Sequence, residues 1–190
     1  MASTWDSRAT LELVFEARNA RPEAWAALYR RCADDMARFC RRFLGPTDRL
    51  RRHCETEDIL QEAFLTAMEN ISCLRNDASF YAWIRTIIRR RISLRRRDTL
   101  RDREGYDGDN RAALDSFETE LALSDEAVRV LDVILELFPQ HPEEMAVFSY
   151  LNFEDNCRPE DIERTLGLSR RTVYRRLDEA VRLIRQRLDD

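Results

Sequence analysis

The residues best suited to a chemical task are arginines near the end of the chain, which could bind DNA. Residues 164–187 hold eight arginines against only Asp178 and Glu179. A planar guanidinium can hold a phosphate or the edge of a guanine through two parallel hydrogen bonds. The side chains that could make such contacts are Arg170, Arg171, Tyr174, Arg175 and Arg176.

Two helices joined by a tight turn are predicted to position these side chains. Pro159 suits a first helical position, Gly167 suits the residue that follows a helix, and Ser169 suits an N-cap. The pattern predicts a helix-turn-helix whose second helix enters a DNA major groove. An ordinary helical bundle with solvated arginines is the alternative. A small core between the two helices would be closed by Ile162, Leu166, Leu168, Val173 and Leu177.

The charge is strongly segregated along the chain, although the net charge is only −4. Residues 85–103 hold nine arginines against two aspartates, whereas residues 104–163 hold seventeen acidic residues against three arginines. Two basic segments therefore flank an acidic one, which favours nucleic-acid binding. All 32 basic residues are arginine, and a compositional bias of a GC-rich genome accounts for most of that preference.

Composition predicts an all-α protein that is not an enzyme. The 190 residues include only 4 Gly and 5 Pro, and apolar residues recur at helical spacing. No apolar run reaches the roughly 18 residues of a membrane span, and the first residues do not resemble a secretory signal, so a cytoplasmic location is expected. Five cysteines without a CxxC pair and two isolated histidines argue against a metal site. No catalytic triad or glycine-rich phosphate loop is present, so we expect no enzymatic activity.

The apolar periodicity divides the chain into two small helical domains joined by a flexible linker. We predict long helices over residues 22–44, 57–70 and 80–97, with Thr56 as an N-cap and a loop over residues 71–79. Two further helices are predicted to begin near Ser124 and Pro142. The predicted organisation is an N-terminal tail (1–9), a helical domain (10–97), a linker (98–123) and a domain containing the helix-turn-helix (124–190).

Three segments, in this order, resemble a known family. They are EDILQEAFLTAM (residues 57–68), FYAWIRTIIR (residues 80–89) and DIERTLGLSRRTVYRRL (residues 161–177). Together they are similar to the small, two-domain extracytoplasmic-function (ECF) group of bacterial RNA polymerase sigma factors. The resemblance implies a subunit that brings core RNA polymerase to a promoter, helps to melt its −10 element and needs no cofactor.

The resemblance also implies roles for particular residues. The helix 57–70 would dock on core polymerase through Asp58, Gln61 and Glu62. The −10 element would be recognised and opened by Asn76, Asp77, Ser79, Arg85, Arg89 and Arg90. The −35 element would be bound in duplex form by Arg170, Arg171, Thr172, Tyr174, Arg175 and Arg176. Trp83, Val173, Leu177 and Ala180 are expected in the core instead.

Other functions remain open at this point. A helix-turn-helix regulator that never joins polymerase would also bind DNA, and an interaction protein could use both basic helices to dock acidic partners. The basic amphipathic helix at residues 80–97 could in principle lie on a membrane surface, but core packing is the more economical explanation. Within the sigma-factor hypothesis, the acidic segment 104–120 could occupy a nucleic-acid channel of polymerase, and the linker permits an anti-sigma factor between the domains.

Overall fold

The computed structural model describes residues 8–19, 21–44, 56–104, 125–153 and 157–190. In those ranges the protein is all-α, as expected, and the chain forms eight α-helices. They are α1 (Arg8–Arg18), α2 (Pro22–Leu44), α3 (Thr56–Asn70), α4 (Phe80–Glu104), α5 (Asp125–Leu137), α6 (Pro142–Phe153), α7 (Pro159–Leu166) and α8 (Arg170–Asp189). Two short 3₁₀ turns, Ile71–Cys73 and Asp77–Ser79, lie between α3 and α4.

Local capping explains where α7 ends and where α8 begins. Gly167 adopts a left-handed conformation with φ of 67°, which a side chain would strain, and its N–H donates to the Glu163 carbonyl at the end of α7. The Ser169 hydroxyl accepts from the Thr172 N–H at 3.3 Å, which satisfies one of the first donors of α8. The two residues therefore act as the sequence predicted.

The first four helices pack into one group, with α2 against α1, α3 and α4. Its buried residues follow the predicted apolar stripes and include Leu28, Met36, Ile59, Ile84 and Trp83. This core also contains a buried polar contact, in which the Cys32 thiol lies 3.0 Å from the Tyr81 hydroxyl. Desolvation raises the pKa of Cys32 to about 11, so this thiol is protonated and inert near neutral pH.

The last four helices form a second group, in which α8 packs against α5, α6 and α7. Phe138, Ile134, Met145, Val173 and Ala180 are almost completely buried there. Val173 and Ala180 are thus core residues, as expected, while Leu177 is only partly buried. The core of this group fixes the orientation of α8, and with it the direction in which the arginines of that helix point.

Helix α4 lies between the two groups, which the sequence did not predict. It packs against α2 and α3 on one side and against α5 and α6 on the other. Residues 81–88 are all buried, and eight consecutive residues cover every direction around a helix. The expected basic outer face is therefore covered along these two turns. Arg85 lies on these turns and is only 8% exposed.

The end of α4 also differs from expectation. The helix continues past Arg97 to Glu104, into the range that was predicted as linker. The arginine-rich sequence of this range contains no Gly or Pro before residue 105, so nothing local stops the helix. The rest of the predicted linker, including most of the acidic segment 104–120, lies outside the described residues.

Candidate nucleic-acid interface

The start of α8 presents two arginines to solvent. Arg171 and Arg175 are exposed and lie four residues apart, so they share one face of the helix. Across the described ranges, neither is held by an ion pair. Tyr174 lies between them in sequence and is 46% exposed. This part of α8 therefore offers two guanidinium groups and a phenol that can meet an anionic partner without first breaking another ion pair.

Arg170 is turned towards the preceding helix. Its guanidinium forms an ion pair with Glu160 of α7 at 3.0 Å. A hydrogen bond with Tyr174 and the charge of Glu160 raise the pKa of Arg170 further above its usual value. Arg170 therefore links α7 to α8 in the free protein.

Arg176 and Thr172 also make contacts within the protein. Arg176 pairs with Glu143 at 2.8 Å and with Glu144, both in α6, and Glu144 is only 7% exposed. An arginine that neutralises a buried carboxylate supports the fold, because removing it would leave that charge without compensation. The Thr172 hydroxyl lies 2.9 Å from that of Ser169 in the N-cap of α8.

The segment between α3 and α4 is held in place by α1. Arg18 donates to the Leu74 carbonyl at 2.9 Å and forms an ion pair with Asp77 at 3.0 Å. Burial raises the pKa of Asp77, and the charge of Arg18 opposes that rise. The side chain of Asn76 accepts from the Ala78 N–H at 3.0 Å. Asn76 and Asp77 therefore shape this segment through their own contacts.

We expect replacement of Arg18 by alanine to loosen this segment. The change removes a charge-assisted hydrogen bond and an ion pair beside a partly buried carboxylate, so the free energy of unfolding should fall by about 1–2 kcal/mol. Urea denaturation measures this decrease. Arg21→Ala is the matched control, because its pair with Glu16 is exposed and its removal should cost less than about 0.5 kcal/mol. Equal decreases in the two variants would contradict a role for Arg18 as a brace.

Four of the residues expected at the −10 element lie against other parts of the protein. The Ser79 hydroxyl donates to the Pro142 carbonyl at 3.3 Å. The guanidinium of Arg85 lies 5.0 Å from the centre of the Phe39 ring, and that of Arg89 lies 4.3 Å from the centre of the Phe153 ring. Arg90 forms an ion pair with Asp132 of α5. Ser79, Arg89 and Arg90 therefore all contact the C-terminal group.

The residues that are exposed on α3 are only in part those that were expected to dock on core polymerase. Asp58 and Gln61 are exposed, but Glu62 turns towards α4, where it pairs with Arg95 and lies 3.8 Å from Arg91. Two apolar residues, Leu65 and Met68, are 50% and 48% exposed. The α3 stripe, which we define as Asp58, Gln61, Leu65 and Met68, follows helical spacing along one face. The same spacing was present in the sequence, but apolar residues on a helix are expected in the core by default.

Neither a metal cluster nor a membrane span is found in the part of the chain that the structure describes. No group of three or more His, Cys, Asp or Glu residues there could hold a metal ion. Within the same ranges, no helix has the length and apolar character needed to cross a membrane.

Part of the chain is similar to known proteins. Residues 28–102 match the family described as sigma-70 region 2. The chain is also 31% identical over 140 residues to a protein from Xanthomonas campestris pv. campestris that is named probable RNA polymerase sigma factor RfaY. The alignment covers 70% of this chain and 34% of that protein, so the chain spans about a third of its relative's length. The matched segment runs from the second turn of α2 into the last turn of α4, so this part of the chain is similar to region 2 of RNA polymerase sigma factors.

Proposed function

We propose that this protein is a sigma factor of the ECF group, which binds core RNA polymerase, directs it to particular promoters and helps to melt the −10 element. The main support for the proposal is that two features follow one another along the same chain. A sigma-70 region 2 at residues 28–102 is followed by a two-helix unit whose second helix exposes Arg171 and Arg175. The first feature belongs to sigma factors, and the second suits duplex DNA.

Core polymerase would dock on the α3 stripe. This stripe combines two polar side chains with two half-exposed apolar ones, and such mixed patches are typical of protein–protein contacts. Glu62 would contribute indirectly, because its ion pairs with α4 fix the face that α3 presents. The stripe lies apart from the contacts that Ser79, Arg89 and Arg90 make with the C-terminal group, so docking and promoter recognition would use different surfaces.

We expect the double variant Leu65→Ala, Met68→Ala to bind core polymerase about tenfold more weakly or worse, because apolar anchors carry much of the energy of such interfaces. Its stability should change by less than about 1 kcal/mol, since both side chains are already half in water. Biolayer interferometry with immobilised core polymerase measures the affinity. The double variant Leu11→Ala, Phe15→Ala is the control, because it removes two partly exposed apolar side chains from a different helix, α1. Unchanged binding by the double variant would remove the stripe from the proposal.

Promoter DNA would meet two surfaces. The −35 element would contact α8 in duplex form through Arg171, Arg175 and Tyr174. The −10 element would be opened at the segment 71–79 and the start of α4, where melting requires groups that capture an unpaired base and cations that support the single strand. Arg89 and Arg90 would supply those cations once they leave their partners in the C-terminal group.

The decisive experiment is transcription in vitro with core polymerase of the source organism and a pool of its genomic promoter fragments. Discrete new start sites that depend on this protein would support the proposal and would define the −10 and −35 sequences. A protein that binds DNA but never directs core polymerase to a start site would instead be a helix-turn-helix regulator. Co-purification with core polymerase provides an independent check of the same distinction.

A further inference from the structure

The first turns of α7 and α8 are both held by local hydrogen bonds. At α7, the Arg158 N–H donates to the Asp161 carboxylate at 3.1 Å. At α8, the Ser169 hydroxyl accepts from a backbone N–H of the first turn. Glu160 lies in the first of these turns and Arg170 lies in the second. Because capping satisfies backbone groups that a helix end otherwise leaves open, the backbone under both side chains has a defined position.

The Arg170 side chain is held at two points although it is exposed. Its Nη1 lies 3.0 Å from the Glu160 carboxylate, and its guanidinium also donates to the Tyr174 hydroxyl. The side chains of Arg170 and Glu160 nevertheless remain 62% and 48% exposed. A guanidinium carries five N–H donors, so these two contacts leave donors for a partner that arrives from solvent. Arg170 has therefore lost part of its rotational freedom before any ligand binds.

The carboxylate of Glu160 changes which acceptors this guanidinium attracts. An arginine without a partner is drawn to a phosphate by its full charge. Arg170 and Glu160 together are close to neutral, and a phosphate that approached them would also be repelled by the carboxylate. The O6 and N7 atoms of guanine belong to a base without net charge, and they accept two parallel hydrogen bonds from an arginine. The pair therefore favours the edge of a guanine over a phosphate.

We propose that Arg170 recognises a guanine in duplex DNA and that Glu160 and Tyr174 are positioning residues for it. The N-terminal residues of a recognition helix are those that contact base edges in the major groove, and Arg170 is the first residue of α8. The proposal rests on the proposed function in taking duplex DNA as the ligand of α8. To the contacts of Arg171 and Arg175 it adds one that specifies sequence and contributes little to the salt dependence of binding.

Duplex DNA that the full chain selects from a random library, without polymerase, is the probe for the test. The enriched duplex is labelled, and a set of duplexes is made from it in which one base pair at a time is changed. Fluorescence anisotropy measures the affinity for each duplex. The discrimination at a position is the ratio of the affinities for the original and the changed duplex. A selection that enriches no sequence would overturn the proposal.

Arg170→Ala should lower the discrimination at one G·C pair about tenfold or more and leave the other positions unchanged, because the two hydrogen bonds to a single guanine are lost. The slope of log affinity against log salt should change by much less than about 1, which is the change expected when an arginine that binds a phosphate is removed. A uniform loss at every position, together with the full change in slope, would make Arg170 a phosphate contact and would contradict the proposal.

Glu160→Gln removes the charge of the positioning carboxylate and keeps its size. Discrimination at the same G·C pair should fall about threefold or more, because Arg170 must then be ordered when DNA binds. Affinity for a non-specific duplex should rise, because one negative charge is lost. The exposed pair contributes little to stability, so the variant should fold normally. If Glu160 only kept Arg170 away from DNA, both affinities would rise without loss of discrimination, and the proposal would be wrong.

Two further variants separate positioning from net charge. Tyr174→Phe keeps the ring but removes the hydroxyl that accepts from Arg170, so discrimination should fall at the same G·C pair. Asp178→Asn is the matched control for Glu160→Gln, because it also removes one negative charge, at an exposed position further along α8. It should raise affinity for all duplexes by a similar factor and leave discrimination unchanged. Equal losses of discrimination in Glu160→Gln and Asp178→Asn would overturn the proposal.

No step of this test involves polymerase, so the two proposals can fail separately. If transcription in vitro produces no new start sites, the sigma-factor proposal fails, whatever discrimination is measured on the selected duplex. If start sites appear but Arg170→Ala and Glu160→Gln leave discrimination unchanged, Arg170 does not recognise a base and the sigma-factor proposal stands.

Discussion

Replacing Arg171 and Arg175 together by alanine is expected to abolish measurable binding to the −35 duplex while leaving the fold intact. Each arginine that holds a guanine with two hydrogen bonds contributes about 1–3 kcal/mol of discrimination, so removing both should weaken binding by roughly two orders of magnitude or more. Both side chains are exposed, and within the described ranges neither forms an ion pair, so their removal should hardly change the free energy of unfolding.

The measurement is fluorescence anisotropy on the −35 duplex that the transcription assay identifies, repeated over a range of salt concentrations. Removing an arginine that binds a phosphate should lower the slope of log affinity against log salt by about 1, whereas removing one that binds a base should relax sequence preference at one position. Arg171→Lys and Arg175→Lys separate these roles, because lysine retains the charge but cannot form the two parallel hydrogen bonds to guanine.

The variant Arg176→Ala provides a comparison, because Arg176 lies in the same helix but is expected to stabilise the fold. Its expected effect is a decrease in stability, because Glu144 would keep its buried carboxylate without the guanidinium that compensates it. If Arg176→Ala weakened DNA binding as strongly as the double variant, yet unfolded at the same urea concentration as the original protein, a structural role for Arg176 would be wrong.

Replacing Ile88 by alanine should destabilise the protein more than any of the surface substitutions. Ile88 is completely buried in the third turn of α4, the helix that packs against both helical groups. Removing three carbons from such a site costs the transfer energy of the buried surface and leaves a cavity, which together amount to about 2–5 kcal/mol. Alanine is an excellent helix former, so the decrease cannot be attributed to helix propensity.

Urea denaturation followed by circular dichroism measures this decrease. Ile88→Val provides a graded control, because removal of a single methyl group at the same position should cost about 0.5–1.5 kcal/mol. The two variants should therefore unfold in a fixed order, with the alanine variant first. A decrease smaller than about 1 kcal/mol for Ile88→Ala would mean that α4 is not closely packed around this residue.

The helices and their ends were largely predictable, because the signals for them are local. Gly167 and Ser169 act on residues within one turn, and the apolar stripes of α2 and α4 depend only on spacing along each helix. The predicted boundary between the tail (1–9) and the first domain falls inside α1, because the short sequence of this helix carries few local signals. The predicted end of α4 at Arg97 lies before the observed end at Glu104, because a run of charged residues does not by itself end a helix.

The sequence places the candidate DNA-binding residues of the C-terminal group on one helix, but it does not indicate the contacts that each of them makes within the protein. The sequence grouped six residues at the start of α8. In the described ranges Arg171 and Arg175 form no ion pair, whereas Arg170 pairs with Glu160 and Arg176 pairs with Glu143 and Glu144. Glu143 and Glu144 lie more than thirty residues away in the chain, and no local pattern connects an arginine to a partner at that distance. Leu65 and Met68 were missed for a related reason, since only packing shows which apolar residues a helix leaves in water.

The all-α class, the helix caps, the core stripes and the resemblance to sigma factors all follow from the amino-acid sequence, because each depends on residue type and short spacing. Which arginines remain open, and where α4 lies, follow only from how the helices pack. Oppositely charged side chains pair according to their positions in the folded protein and not according to their spacing in the chain. A helix with apolar residues on one face and arginines on the other can be covered by other helices on both faces. Here α5 and α6 supply Asp132 and Phe153 to that second face, which was expected to meet solvent and DNA.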